Sequence, residues 1–315
     1  MEYISLIKSF QNNQTNNFNN FKTLNNHRGE IYHLSILKDG RLASSSLDCS
    51  LNIYKIDTFE LQLSIKEHKH AVHFFDELND GRIITCSNDK TINIIKLNND
   101  NYTLEQKLEG HQTGVLKCIE LKKNELISVS SEKTMRKWEI KNNNKFECTK
   151  IIPFQNGENV SNILKLNENE FVTSSYSDKL LKFWNSNDYS QISTINNIES
   201  IWCFRNLCKL EDDILSVGGI NSKGFYLIKI STHQLIKKIL DPQIIYSIFE
   251  CFDGLFLCSI NNKKGNYSLV KYKYENGNLN KIIEKENAHQ DDIYTCIELN
   301  NGIVASGGRD KLIKL

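Results

Sequence analysis

The chain contains 315 residues, and its 39 Lys and Arg side chains nearly balance 38 Asp and Glu, for a formal net charge of +1. This balance leaves no basic excess of the kind that binds nucleic acid or an anionic membrane surface. No segment approaches the ~20 apolar residues of a membrane-spanning helix, and residues 1–10 lack the basic start and apolar run of a secretory signal. Nine cysteines without a regular framework favour reduced thiols and a location in the cytoplasm or nucleus.

The first feature along the chain is a polar stretch rich in Asn, QNNQTNNFNNF, at residues 11–21. It has neither the period of a helix nor that of a strand, so we predict a mobile lead-in over residues 1–19. The rest of the chain, residues 20–315, is predicted to form a single domain of repeats.

Seven segments share one pattern, a turn followed by a short strand of apolar and small residues. They are GRLASSS (40–46), GRIITCS (81–87), NELISVS (124–130), NEFVTSS (169–175), DDILSVG (212–218), DGLFLCS (253–259) and NGIVASG (301–307). In four repeats a His lies seventeen residues before the Ser or Thr of that strand, and an acid follows four residues after it. The triplets are His27, Ser44 and Asp48; His68, Thr85 and Asp89; His111, Ser128 and Glu132; and His289, Ser306 and Asp310.

One repeat is fuller than the others. Residues 110–140, GHQTGVLKCIELKKNELISVSSEKTMRKWEI, begin on Gly-His and place Trp138 near their end, and SDKLLKFW (177–184) ends on Trp184. On these residues the chain resembles the WD-repeat family, whose repeats open with Gly-His and close a strand on Trp-Asp, although most repeats here lack the Trp. The resemblance implies an all-β fold, a seven-bladed β-propeller of four-stranded antiparallel blades.

The matched polar residues have a structural role in this interpretation. One four-stranded sheet cannot bury both of its faces, so sheets stacked around an axis cover one another and leave only short edges. Inside a blade, the His, Ser or Thr, acid and Trp side chains form a buried hydrogen-bonded tetrad that stabilises the blade and performs no chemistry. Beside the four triplets, the predicted tetrad residues are Trp138, Thr173, Asp178 and Trp184.

The last strand pattern, LIKL at residues 312–315, occupies the third-strand position of the seventh repeat. An unpaired strand exposes a row of backbone N–H and C=O groups, so a fourth strand has to come from elsewhere. NFKTLNN (20–26) precedes the first His as YTLEQKLEG (102–110) precedes His111. We therefore expect the N-terminal segment to pair with the C-terminal strand and close the ring.

Catalytic and metal-binding patterns are weak. HKHAVH contains His68, His70 and His73, but alternation separates their side chains and no Cys or carboxylate flanks them at ligand spacing, so no metal site is predicted. No nucleophile-elbow, phosphate-loop or dinucleotide motif occurs. We therefore predict neither an enzyme nor a cofactor.

A variable column of residues is the candidate binding surface. Counted from each repeat's His position, the fourth and seventh residues are always apolar, and their odd separation predicts a β-bulge between them. The fifth residues are Tyr32, His73, Leu116, Ser161, Trp202, Tyr246 and Tyr294. In the family such positions point to the channel mouth.

Four aromatic members of that column fall on consecutive blades of a closed ring, and three charged residues occupy the rim beside them. The aromatics are Tyr32, Trp202, Tyr246 and Tyr294, and the rim residues are Glu30, Asp292 and Arg309. Aromatic side chains with a charged border are typical of protein interfaces, so we predict that this arc binds a partner. The alternative is that bulky side chains merely fill the channel.

These features favour a non-enzymatic scaffold or adaptor that binds a protein or peptide partner within a multiprotein complex, without nucleic acid or membrane insertion. A substrate-receptor subunit of a ubiquitin ligase is the alternative, but receptors of one such type carry Arg two residues after Trp-Asp, where this chain has Lys141. A G-protein β-like subunit would need a long helical N-terminus. A propeller enzyme would need several convergent polar groups at the channel mouth.

Overall fold

The computed structural model describes residues 22–55, 57–141, 144–154, 158–175, 178–198, 207–210, 213–218, 224–240, 244–251, 255–261, 265–275 and 278–315. The regular structure of these residues is β-strand throughout. No helix in this part of the chain is long and apolar enough to cross a membrane. The strands pair antiparallel with their neighbours and form four-stranded sheets.

The first half of the chain forms three consecutive blades after one short strand. β1 (Thr23–Leu24) precedes blade 1, which contains β2 (Ile31–Ile36), β3 (Leu42–Ser46), β4 (Leu51–Tyr54) and β5 (Leu61–Ile65). Blade 2 contains β6 (Val72–Glu77), β7 (Ile83–Ser87), β8 (Ile92–Asn98) and β9 (Asn101–Leu108). Blade 3 contains β10 (Val115–Lys122), β11 (Glu125–Ser130), β12 (Thr134–Ile140) and β13 (Phe146–Pro153).

The second half of the chain continues in the same order. Blade 4 contains β14 (Val160–Lys165), β15 (Glu170–Ser175), β16 (Leu180–Asn185) and β17 (Gln191–Ile195). Blade 5 contains β18 (Leu207–Leu210), β19 (Ile214–Gly218), β20 (Gly224–Lys229) and β21 (Gln234–Leu240). Blade 6 contains β22 (Ile244–Glu250), β23 (Leu255–Asn261), β24 (Tyr267–Glu275) and β25 (Asn278–His289). The last strands are β26 (Ile293–Glu298), β27 (Val304–Gly308) and β28 (Ile313–Lys314).

The predicted count of seven blades needs correction. Within the described residues six blades are complete, each formed by four strands that follow one another in the chain. The remaining four-stranded sheet is a composite of both ends of the chain, in the order β1–β28–β27–β26. β1 and β28 contain two residues each, and their pairing is limited to Thr23 with Lys314 and Leu24 with Ile313. We call this the composite sheet.

The pairing of the N-terminal segment with the last strand is nevertheless observed. Two backbone hydrogen bonds extend the ladder beyond β1, from Lys22 N to Leu315 O at 3.3 Å and from Leu315 N to Lys22 O at 2.9 Å. Leu24, Ile313 and Leu315 are buried in one apolar cluster with residues of blade 1. The composite sheet is thus held by side-chain packing as well as by its short ladder.

The sheets follow one another around a ring. The first strand of each sheet contacts the first strand of the next, from β2 and β6 through β10, β14, β18 and β22 to β26, which contacts β2 again. The fourth-position and seventh-position side chains of these inner strands are buried between the sheets, which confirms the predicted core for the described residues. They are Ile31, Val72, Val115, Val160, Ile245, Ile293, Leu34, Phe75, Cys118, Ile163, Ile248 and Cys296. The equivalent residues of blade 5, Ile201 and Phe204, lie outside the described residues.

The predicted β-bulge is confirmed in the six inner strands whose pairing is described at this point. In β2 the register shifts between Ile31 and His33, and in β26 between Ile293 and Thr295. The same shift occurs in β6, β10, β14 and β22. One extra residue breaks the strict alternation, so the fourth and seventh residues can both face the core.

Glycines make the turns that precede the second strands of several sheets. Gly40, Gly81 and Gly302 have φ values of 90°, 86° and 81°, which are left-handed conformations that favour glycine. The N–H of each donates to the carbonyl three residues earlier at 2.8–2.9 Å. This explains the turn-and-strand pattern that these repeats share.

Candidate partner-binding site

The regular spacing of the polar triplets brings each His between its Ser or Thr and its acid. The Nε2 atoms of His27, His68 and His289 lie 2.6, 2.8 and 2.8 Å from the hydroxyls of Ser44, Thr85 and Ser306. Their Nδ1 atoms lie 3.0, 2.9 and 2.9 Å from Asp48, Asp89 and Asp310. The four His rings of the repeats are buried.

Blade 3 contains the full tetrad. Trp138 Nε1 donates to Ser128 Oγ at 2.9 Å, Ser128 Oγ lies 2.7 Å from His111 Nε2, and His111 Nδ1 lies 2.7 Å from Glu132 Oε1. A neutral His that donates from Nδ1 and accepts at Nε2 completes this chain without an unused donor. The series of hydrogen bonds therefore crosses the blade from the Trp138 indole to the Glu132 carboxylate.

The electrostatics of blade 3 keep His111 neutral and Glu132 charged. Burial lowers the pKa of His111 from 6.5 to about 4, although the hydrogen bond to Glu132 opposes the shift. Burial alone would raise the pKa of Glu132, but hydrogen bonds from Thr134, from the backbone N–H of Gln112 and from His111 outweigh it and lower this pKa to about 2. Each polar group is satisfied by its neighbour, as a stabilising network requires.

Blade 4 departs from this pattern because it has no His. Trp184 Nε1 donates to Thr173 Oγ1 at 2.9 Å, but Asp178 accepts from Ser175 Oγ at 2.6 Å instead of from a ring nitrogen. The structure thus pairs Thr173 with Trp184, while Asp178 accepts from Ser175 and from the backbone N–H of Asn159.

A buried ion pair in blade 4 was missed by the sequence analysis. Lys182, which is opposite Thr173 in the strand pairing, lies with its Nζ 2.6 Å from Glu158 Oε1, and both side chains are less than 10% exposed. No motif marks the pair, since its members are 24 residues apart. The one signal was a Lys where blades 1 and 2 have Asn52 and Asn93.

The fifth column forms an aromatic contact across three neighbouring sheets. The ring centroids of Tyr294 and Tyr32 are 6.0 Å apart, and those of Tyr32 and His73 are 5.3 Å apart. Both tyrosines are half-buried, whereas His73 is buried. The bulges therefore bring side chains of the composite sheet, blade 1 and blade 2 together at one end of the inner strands.

Four charged residues border the two tyrosines. Arg309 lies 3.6 Å from Glu30, 3.8 Å from Asp291 and 3.9 Å from Asp292, and its side chain is 53% exposed. The backbone places it there, since Arg309 N donates to Asp292 O at 2.8 Å. Gly308 is required for this close approach, because a Cβ at that position would lie 2.0 Å from Asp292 O. The tyrosine site consists of Tyr32, Tyr294, Glu30, Asp291, Asp292 and Arg309.

Burial and the neighbouring carboxylates raise the pKa values of the two tyrosine hydroxyls. Burial, followed by the charge of Glu30, raises the pKa of Tyr32 to about 12. Burial and the charges of Glu30 and Asp292 raise the pKa of Tyr294 well above its ordinary value, and Arg309 opposes them only in part. Both phenols therefore stay protonated at neutral pH, and the hydroxyl of Tyr294 donates a hydrogen bond to Glu30.

The structure brings together only part of the predicted arc. Trp202 lies outside the described residues, and so does the side chain of Tyr246, whose backbone belongs to β22. Leu116 and Ser161, across the ring in the same column, are buried, and Ser161 Oγ donates to Ser174 O at 3.5 Å. Asp291 was missed because it falls outside the columns that were compared.

The sixth column links neighbouring blades directly beside the bulges. His33 packs on Phe74 with ring centroids 4.5 Å apart, and Lys117 Nζ lies 4.8 Å from the Phe74 centroid. Lys117 Nζ also donates to Asn162 Oδ1 at 2.8 Å. These buried side chains connect blades 1 to 4 and fix the backbone from which the fifth residues project.

The geometry of the first repeat agrees with a comparison against known families. Residues 18–55, which include His27, Ser44 and Asp48, match the family model of the WD domain, G-beta repeat. The match and the ring of four-stranded sheets support a WD-repeat propeller. The resemblance noted in the sequence is thereby confirmed. A search of curated proteins found no significant match to the chain.

A WD-repeat propeller is a fold typical of protein-interaction scaffolds, in a family that is generally non-enzymatic. In the described part of the chain, no group of three or more His, Cys, Asp or Glu side chains is arranged to hold a metal ion. His68 belongs to its blade triplet and His73 to the aromatic contact, while His70 is exposed.

Proposed function

We propose that this WD-repeat propeller is a non-enzymatic scaffold that binds a protein or peptide partner at the tyrosine site, as part of a multiprotein complex. The observation that carries the proposal is the contact of Tyr32 and Tyr294 across the seam between the composite sheet and blade 1, at 6.0 Å between ring centroids. Two half-buried aromatic rings with a charged border have the composition of an interface centre.

The rigidity of the surroundings supports this proposal. The residues on either side of Tyr32, Ile31 and His33, are buried, so the ring projects from a backbone that core packing holds in place. A preorganised surface loses little side-chain freedom when a partner binds. The exposed Leu47 occupies in blade 1 the position that Arg309 occupies in the composite sheet, and its N–H donates to Glu30 O at 2.8 Å. It adds apolar surface to the same rim.

The test is an affinity pull-down from cell extract with mass spectrometry, using the full chain and a Tyr32→Ala/Tyr294→Ala variant. A partner that uses this site should be captured by the wild-type chain and lost with the variant, because truncated interface aromatics often cost about 2 kcal/mol or more each. Ile151→Ala is the matched control, since Ile151 is 52% exposed on the outer strand of blade 3. Partners captured equally by all three proteins would contradict the proposal.

A location in the cytoplasm or nucleus is part of the proposal. The seven cysteines in the described residues are free thiols, which suits a reducing compartment. Fluorescence microscopy of the tagged chain tests this directly, and secretion into the medium would contradict it.

A further inference from the structure

The tyrosine site has an excess of negative charge. Three carboxylates, Glu30, Asp291 and Asp292, share one guanidinium, so the formal charge of the four groups is −2 (three acids less one base). The separations of 3.6–3.9 Å from Arg309 are too long for charge-assisted hydrogen bonds, which are about 2.7–2.9 Å. The internal cation therefore balances the acids only in part.

The same charge reaches the aromatic rings. Within the described residues, the charges of Glu30 and Asp292 raise the pKa of Tyr294 and that of Arg309 opposes them, while the charge of Glu30 raises the pKa of Tyr32. The face of an aromatic ring attracts a cation, and the attraction is stronger when water is excluded. Carboxylates and ring faces consequently favour the same kind of ligand.

We infer that the tyrosine site binds a basic side chain, Arg or Lys, on the partner peptide. The cation lies between the carboxylates of Glu30 and Asp292, and its alkyl stem packs on the rings of Tyr32 and Tyr294. Arg309 is the internal competitor, because it occupies part of the carboxylate surface that the ligand uses. This inference rests on the proposed function, since it names the chemistry of the partner at the same site.

Substitution of Arg309 tests the inference, because the loss of a merely structural side chain would not tighten the binding of basic peptides. Arg309→Gln removes the competing cation from a side chain that is 53% exposed, so the fold should be preserved and basic peptides should bind more tightly, by about threefold to tenfold. Glu30→Gln/Asp292→Asn should weaken the same peptides by about tenfold or more. Lys311→Gln is the matched control for Arg309→Gln, because it removes an equal charge two residues away and none of the three ion pairs involves Lys311.

The experiment uses a phage-displayed library of random peptides selected on the full chain. Peptides that bind the wild-type protein but not Tyr32→Ala/Tyr294→Ala are sequenced, synthesised with a fluorescent label and titrated by anisotropy against each variant. We expect the selected peptides to be enriched in Arg or Lys, and to bind more tightly to Arg309→Gln and less tightly to Glu30→Gln/Asp292→Asn than to the wild-type chain. Their affinity should fall as the salt concentration rises from about 50 to about 500 mM, since salt screens charge pairs.

The outcomes separate this inference from the proposed function. The inference would be overturned if the tyrosine-dependent peptides were neutral or acidic. It would also be overturned if they bound Glu30→Gln/Asp292→Asn and Arg309→Gln as they bind the wild-type chain. Either result would still support the proposed binding site. A selection that yields no tyrosine-dependent peptide would count against both.

Discussion

Acid should destabilise blade 3 through His111. Burial holds the pKa of this side chain at about 4 in the folded protein, against 6.5 for an exposed His. Between these two pKa values the unfolded chain takes up a proton that the folded chain does not. The stability that neutral His111 contributes is therefore fully present above about pH 6.5 and is lost as the pH is lowered. The linkage relation gives a loss of about 2 kcal/mol at pH 5 and about 3 kcal/mol at pH 4, relative to neutral pH.

Glu132 acts in the same direction at lower pH. Its pKa is about 2 in the folded protein and 4.5 when exposed, so its contribution is present above about pH 4.5 and is lost as the pH falls towards 2. His111 therefore dominates the acid sensitivity of the tetrad between about pH 6.5 and pH 5. The measurement is urea unfolding at several pH values, which yields the free energy of unfolding at each.

The control is His111→Gln, which removes the titrating group. This variant should be less stable at neutral pH by about 1–3 kcal/mol, because Ser128 and Glu132 lose a buried partner. Its stability should also change less between neutral pH and pH 5, by the ~2 kcal/mol assigned to His111. If the two proteins lose stability in parallel as the pH falls, the reasoning about His111 is refuted.

Three further predictions concern ring closure, blade 4 and the binding surface. Deletion of residues 1–24 should leave β28 without β1 and cost several kcal/mol; an unchanged melting temperature without aggregation would contradict this. Glu158→Gln should cost about 3–5 kcal/mol in urea unfolding, because Lys182 becomes a buried charge without its partner, whereas Glu158→Leu/Lys182→Met should recover much of the loss. Tyr294→Ala should weaken the captured partner roughly thirtyfold in a titration, about 2 kcal/mol, with little change in melting temperature; equal affinity would exclude Tyr294 from the interface.

The repeat spacing carried most of the fold prediction. The repeated spacing of His, Ser or Thr and acid, together with the resemblance to the WD repeat, predicts the triplet of His27, Ser44 and Asp48. The bulge followed from the odd separation of two apolar columns, such as Ile31 and Leu34. Both inferences concern the local structure of one blade, although each needs the comparison of several repeats.

The errors arose where the structure depends on contacts between distant parts of the chain. The count of blades was wrong because the composite sheet takes strands from both ends, and its outer pairing is limited to Thr23 and Leu24 with their partners. The ion pair of Lys182 with Glu158 occurs in the blade that lacks the His triplet, and no sequence motif marks it. In the tyrosine site, Asp291 approaches Arg309 through the fold of a loop, which a column of aligned residues does not reveal.

The repeated bulge separates the residues that fix the register of the strand from the residues that form the binding surface. Tyr32 and Tyr294 are half-buried insertions between core positions, so a change of either side chain alters the surface while the register of the strand stays fixed. Tyr32 and Tyr294 already differ from Leu116 and Ser161 at equivalent positions on the same scaffold. The bulges therefore offer exchangeable positions where the fifth residue reaches the surface, and a library varied at positions 32 and 294 would sample new binding specificities with little loss of folded protein.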